Sequence, residues 1–277
     1  MNPPSSSSHA NTATAAVRSV ALTAPLRWLA LGWHDMVRAR WLSLGHGIVL
    51  AGFGLVLLTV AHRQFWLLAG AFSGFLVVAP VLATSLYAIS RALAHQRPVR
   101  VALLYETWLS WQRSRFDESG GYWCLVRFGV MLALAGTGWV MTSAALITLM
   151  APAPINAPID FLRLVVLAPD NFLFEAWLLL GGVLAAPIFA SSVVSMPLML
   201  DRRVTLMAAV LTSWRVVLAN PAPMAVWAAL IMLLVLVGFA TALLALVVVV
   251  PVLGHASWHA YDELVDASAL PQRPLGS

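Results

Sequence analysis

Between Arg215 and Asp262 the chain runs for 46 residues without an Asp, Glu, Lys or Arg. As one helix, that run would be roughly 69 Å long at about 1.5 Å per residue, over twice the ~30 Å hydrocarbon core of a bilayer. It is expected to fold back near Gly238, giving two spans and a tight outer turn. Four more uncharged runs precede it: Trp41–His62 (22 residues), Gln64–Ser90 (27), Phe128–Ile159 (32) and Ala176–Leu200 (25). Pro152, Pro154 and Pro158 end the helical part of the third near Met150. A crossing needs about 20 apolar residues, so each of these four reads as one span. Six transmembrane helices are predicted, at about 42–62, 65–93, 122–150, 172–199, 222–238 and 240–263.

Composition excludes the alternatives. Charged residues make up 10% of the chain and hydrophobic ones 61%, against about 25% charged in soluble domains. That is too little charge to cover a water-facing surface, and it rules out disorder, coiled coil and collagen alike. A single cysteine, Cys124, gives no internal disulfide and no metal-type cysteine spacing. The first 24 residues, rich in Ser, Ala, Thr, Asn and Pro, lack the basic start and apolar core of a signal peptide. Residues 1–24 read as a disordered tail, 25–265 as the six-span domain and 266–277 as a short C-terminal tail.

All 16 basic residues are Arg, and the net charge is +5. They sit between apolar runs, as orientation signals do, and do not point to nucleic acid. Arg18, Arg27, Arg38 and Arg40 precede span 1. Arg91, Arg97, Arg100, Arg113 and Arg115 belong to the connection from span 2 to span 3. Arg202, Arg203 and Arg215 lie between spans 4 and 5, and Arg273 follows span 6. Thirteen arginines thus share one side, with Arg127 close to it, whereas Arg63 and Arg163 are on the other. The positive-inside rule puts both termini in the cytoplasm.

The chain also repeats a pattern three times. Leu26, Leu29, Trp33, Met36 and Val37 form a helical stripe. So do Val101, Leu104, Tyr105, Trp108 and Trp111, and again Val204, Met207, Leu211, Trp214 and Leu218. Each stripe precedes a pair of spans and faces away from Arg and polar residues. They read as amphipathic helices lying in the cytoplasmic interface. The second span of each pair carries a proline kink, at Pro80, Pro187 and Pro251. A polar residue follows one turn later, at Thr84, Ser191 and His255. The fold class expected is an all-α membrane protein of three span pairs, each preceded by an interfacial helix and related by a rough threefold axis along the membrane normal. Thr84, Ser191, His255 and His259 are the candidates for a shared polar cavity.

Several stretches carry a family resemblance: Leu31–Met36, Val193–Arg202, Thr212-Ser213-Trp214, Asn220-Pro221-Ala222-Pro223-Met224 and Gly254–Tyr261. Together they resemble a bacterial family of predicted integral membrane proteins catalogued as domain of unknown function 2189, over roughly residues 26–265. The resemblance implies an all-helical inner-membrane protein with six spans. It implies no activity, substrate or cofactor.

Chemistry is sparse. His255 and His259 share a helix face at i and i+4, a spacing that can bind a metal ion. His34 and His46 are the further histidines within reach. A closed site needs about four ligands, and no cysteine pair or carboxylate on an adjacent span is expected at that depth. No metal and no cofactor are therefore expected, and the two histidines are read as hydrogen-bonding groups, joined with Thr84 and Ser191. Arg127 and Glu175 sit near span ends, where snorkelling accounts for them. Asp201-Arg202-Arg203 is read as a helix end that satisfies positive-inside, in preference to a pair with another loop. Asn220-Pro221 is read as one helix ending and the next beginning.

The function expected is a non-enzymatic component of the bacterial inner membrane that binds lipids or partner membrane proteins. Small residues (Gly45, Gly47, Gly52, Gly54, Gly70 and Gly74) permit close helix approach there. A transporter or channel for a small neutral or apolar solute is the second reading. A metal- or haem-associated membrane factor is the third.

Overall fold

The computed structural model describes residues 15–61, 83–113, 123–155, 158–168 and 172–273. Among these the chain is helical apart from one short strand pair. The helices are α1 (Ala24–Arg38), α2 (Arg40–Ala61), α3 (Thr84–Ala94), α4 (Val101–Arg113), α5 (Trp123–Met150), α6 (Pro158–Phe161), α7 (Leu173–Ser192), α8 (Ser195–Asp201), α9 (Leu206–Ala219), α10 (Pro221–Ala240) and α11 (Leu246–Leu264). A π-helical turn, Leu162–Val166, extends α6. Among the described residues, three stretches are long and apolar enough to cross a membrane: α5, α7 with α8, and α10. A fourth is added if α1 and α2, bent by 104° at their junction, count as one broken span. Of the expected span at 65–93, residues 65–82 lie outside the described residues, and with them Pro80, Gly70 and Gly74.

The long uncharged run does break in two. Helix α10 ends at Ala240, residues 241–245 turn, and α11 begins at Leu246. Ala242 (φ 51°) and Leu243 (φ 72°) hold left-handed backbone in this turn. Gly238 serves packing instead: a Cβ there would come within 2.1 Å of the Leu246 side chain. The break lies a few residues beyond the position expected, because the left-handed residues 242–243, and not the glycine, end the helical path.

Helix α11 is packed by α1, α2, α3, α8 and α10. Glycine makes three of these approaches possible. A Cβ on Gly32 of α1 would lie 2.6 Å from the Val252 carbonyl oxygen. One on Gly47 of α2 would lie 2.0 Å from the Val247 carbonyl oxygen. Gly254 of α11 admits Leu86 of α3, whose Cδ1 would stand 2.5 Å from an added Cβ. Pro251 has no N–H for the Val247 carbonyl, and Gly47 closes over that carbonyl. Gly45 and Gly52, by contrast, face open space. Trp28 and Trp227 meet edge to face beside this helix, ring centroids 5.6 Å apart.

Both ends of the domain differ from the sequence reading. Strand β1 (Ala16–Val17) pairs antiparallel with β2 (Val265–Asp266). Asn220 secures the same segment, accepting from the Val20 N–H at 2.9 Å and donating to the Arg18 carbonyl at 3.1 Å. Residues 16–20 are therefore held by the strand pairing and by Asn220 despite their tail-like composition. Residues 266–273 lie along the end of α8, where Arg203 N–H donates to the Pro271 carbonyl and Arg273 N–H to the Asp201 carbonyl.

In the stripes of α1 and α9 most residues face outward, while Met36 and Val204 are buried. In α1, Leu26, Trp33 (53% exposed) and Val37 are exposed, while Trp28, Gly32, Asp35 and Met36 are buried. In α9, Met207 (67%), Leu211, Trp214 and Leu218 (73%) are exposed, while Ala209, Thr212, Ser213 and Val216 are buried. A water-soluble domain arranges such helices the other way round.

Candidate functional site

The glycine contacts on α11 set the positions of polar side chains one turn away. Asp35 lies three residues past Gly32, Ser43 four before Gly47, Ser90 four past Leu86, and His255 follows Gly254. These groups converge. Ser43 Oγ is 2.9 Å from His255 Nε2, and Ser90 Oγ is 2.7 Å from His255 Nδ1. Ser90 also donates to Asp35 Oδ2 at 2.8 Å, and His259 Nε2 reaches the same oxygen at 2.8 Å. Ser43, Ser90 and His255 have no solvent exposure, and Asp35 is buried. Four helices thus share one hydrogen-bonded chain.

The chain has a direction. An ionised carboxylate only accepts, so Ser90 spends its proton on Asp35. Its oxygen then accepts from His255 Nδ1–H, which leaves Nε2 to accept from Ser43. His259 donates to Asp35 from the other side. Every donor points toward Asp35, and a neutral His255 has both ring nitrogens used.

A second cluster lies between α3, α8, α11 and the C-terminal segment. Arg91 Nε donates to Asp201 Oδ1 at 2.8 Å, and both side chains are buried, 3% and 7% exposed. Arg91 Nη2 donates to the Arg273 carbonyl at 2.6 Å. Tyr261 and Arg202 donate to Asp201 Oδ2 at 2.9 and 2.7 Å. Arg273 Nε donates to the Met199 carbonyl at 2.7 Å. A third group joins α1 to α11: Glu263 accepts from Trp28 Nε1 at 2.8 Å and pairs with Arg27. Among the described residues no buried side-chain nitrogen or oxygen lacks a partner.

The four cavity candidates are not brought together as a set. His255 and His259 share one network, which includes Ser43, Ser90 and Asp35. Ser191 on α7 accepts from Trp214 Nε1 of α9 at 2.9 Å. Thr84 is buried at the start of α3. Pro187 and Pro251 both lie inside continuous helices, α7 and α11. His46 bonds to the Leu42 carbonyl at 2.7 Å, and His34 is exposed. Among the described residues no three His, Cys, Asp or Glu side chains group as a metal ion requires.

His259 is reached by a carboxylate that the sequence reading did not weigh, Asp35 of α1. Two sequence readings are corrected. Asp201 pairs with Arg91 and does more than end a helix. Arg91 is itself a buried charge at the end of the second expected span, where only Arg127 and Glu175 had been weighed. Its position within residues 65–93 was the available signal, because a charge there demands a partner.

One comparison bears on identity. Residues 67–201 match the model of a family described as "Predicted integral membrane protein (DUF2189)". Of the stretches that carried the resemblance, Val193–Asp201 falls inside this match; those at 31–36, 212–214, 220–224 and 254–261 fall outside it. No curated protein and no solved structure matches the chain.

Proposed function

On the premise that the chain belongs, through residues 67–201, to this family of predicted integral membrane proteins, we propose that it is a non-enzymatic component of the bacterial inner membrane. It binds lipids or partner membrane proteins through its outer apolar faces. The observation that carries the reading is the outward stripe of α9, Met207, Leu211, Trp214 and Leu218, beside exposed Arg215. Large apolar side chains with Trp and Arg suit the level of lipid headgroups and acyl chains. The same holds for α1, with Leu26, Trp33 and Arg27. The crossing stretches are bare as well: over the 18-residue apolar window of each, 17%, 22% and 22% of the residues are buried inside the protein.

The arrangement belonging to this reading has six crossings in three pairs, with both termini cytoplasmic. It is supported by the division of arginines, thirteen against Arg63 and Arg163. Reporter fusions at residue 100, at residue 158 and after the last residue should read inside, outside and inside. An outside C-terminus would remove one crossing from the 216–261 run. Purification from native membranes in mild detergent, with mass spectrometry of protein and lipid and metal analysis, tests the role. A stoichiometric partner or a retained lipid class supports it, and Met207→Ser with Leu211→Ser should weaken that retention. A protein that comes away with stoichiometric metal or haem would overturn it.

A further inference from the structure

We propose that Asp35, His255 and His259, joined through Ser90, form a site that binds one exchangeable proton inside the protein. The argument goes beyond the lipid- and partner-binding role and begins with charge. A buried carboxylate without a counter-charge is costly. Among the described residues the basic side chains that face Asp35 are the imidazoles of His259 and His255, and His255 is faced in turn by Asp35, His259 and His46. The other charges on the packing helices are engaged or outside. Arg91 of α3 is held by Asp201 of α8, and Arg27 of α1 by Glu263 of α11. His34 and Arg38 of α1, Arg40 of α2 and Asp262 of α11 are exposed. Tyr261 donates to Asp201, and α10 carries no charge. Among the described residues, therefore, what can neutralise Asp35 where it lies is a proton on one of two imidazoles, or on itself.

The geometry gives that proton two places. At His259 it sits on an imidazolium whose Nε2–H faces Asp35 Oδ2 at 2.8 Å. This end is the partly open one, the His259 side chain being 18% exposed. To move inward, His259 gives its Nε2 proton to Asp35 Oδ2. The carboxylic acid passes it to Ser90 Oγ while Ser90 gives its own proton to His255 Nδ1, and the carboxylate is restored. His255 accepts there when its other proton is on Nε2, donated to Ser43. One proton leaves His259 and one arrives on His255, and each hop spans 2.7–2.8 Å. The hydroxyl of Ser90 both donates and accepts, so no helix has to move.

The test is nitrogen NMR of imidazole-labelled protein in lipid nanodiscs, titrated across the range in which histidine ordinarily changes charge, about pH 5–8. In the wild type, His255 and His259 should titrate as a coupled pair that takes up one proton between them. Asp35→Asn should weaken proton binding about tenfold or more, since it removes the carboxylate that the His259 ring and, through Ser90, the His255 ring reach. Ser90→Ala should leave the His259 titration in place and abolish its influence on His255. Two histidines that titrate independently in the wild type would overturn the proposal, as would two that stay neutral throughout. Should Asp35→Asn not fold, Ser90→Ala decides, and an unaltered His255 response then overturns it. Lipid or partner retention is read separately and does not depend on this outcome.

Discussion

Helices α5 and α7 and the group around α11 are held by different means. Between α5 and α7 the contacts are aromatic and aliphatic. Trp177 lies 5.6 Å from Trp139 and 5.4 Å from Phe161, centroid to centroid, and donates one hydrogen bond to Ser143 at 2.7 Å. Ile147, Ile155, Val165 and Leu173 form a small separate core beneath them. Around α11, backbone meets backbone at glycine, and three polar clusters tie α1, α2, α3, α8 and both ends of the described chain together. In lipid, apolar surface gains little by leaving acyl chains for another helix. Close approach and hydrogen bonding decide which helices stay together. By that standard the α11 group is the fixed body, and the α5–α7 pair is the part with more freedom to exchange neighbours.

The largest effect should come from the Arg91–Asp201 pair. Asp201→Ala leaves a buried guanidinium without its carboxylate, and removing one partner of such a pair costs about 3–5 kcal/mol. Asp201 also receives Tyr261 and Arg202, so the upper half of that range is expected. Unfolding in mixed micelles should show it directly. The double variant Arg91→Met with Asp201→Met should recover a large part of the loss, since an apolar replacement of both charges is often nearly neutral. If Asp201→Ala were no worse than a substitution in α5, the contrast between the two regions would collapse.

A milder test lies within a single helix. Gly47→Leu drives a side chain into the Val247 carbonyl and should cost at least the 1–3 kcal/mol typical of overpacking. Gly52→Leu, one turn and a half further on, meets open space and should stay within about 0.5 kcal/mol. Equal effects at the two positions would show that α2 does not touch α11 as described.

These positions also mark how far the sequence is legible. Uncharged runs reveal apolar helices because charge is expensive in lipid, and the break in the 216–261 run follows from length alone. Glycine spacing announces that helices approach without saying which: Gly45, Gly47 and Gly52 look alike in sequence, and only Gly47 meets a backbone. The partners of His255 and His259 were not legible, because Asp35 and Ser43 are more than 200 residues away in the chain. Composition misled at the N-terminal side, where residues 15–20 look like a tail yet are fixed by hydrogen bonds from Asn220 and β2. Short polar segments have no apolar pattern to show that their backbone is paired.

On the α5–α7 side, Trp177→Phe should remove the bond to Ser143 while keeping most of the ring contact. The expected loss is about 1 kcal/mol, read from the same micelle unfolding. A loss as large as that of Asp201→Ala would mean that this pair is as firmly held as the α11 group.

The smallest effect concerns Asp266, at the edge of the strand pair. Hydrogen bonds from Ser268, and then the Arg18 guanidinium at 2.8 Å, hold its carboxyl well below the usual carboxylate range. A carboxyl lowered in the folded state adds stability that is fully present above its unfolded value, about 3.9, and is lost only as pH falls through the folded one. Acidification from about pH 7 to 5, the range in which a histidine site responds, should therefore leave the β1–β2 pairing intact. Amide exchange at Arg18, bonded to the Leu264 carbonyl at 2.8 Å, reports on this pairing. Asp266→Asn should quicken that exchange slightly at neutral pH, because the site is solvent-facing and the ion pair is screened. It should leave exchange in α11 unchanged, since the strand edge is the outermost part of the fixed body. Opening of α11 together with the strands would instead mean that the chain ends hold the whole group closed.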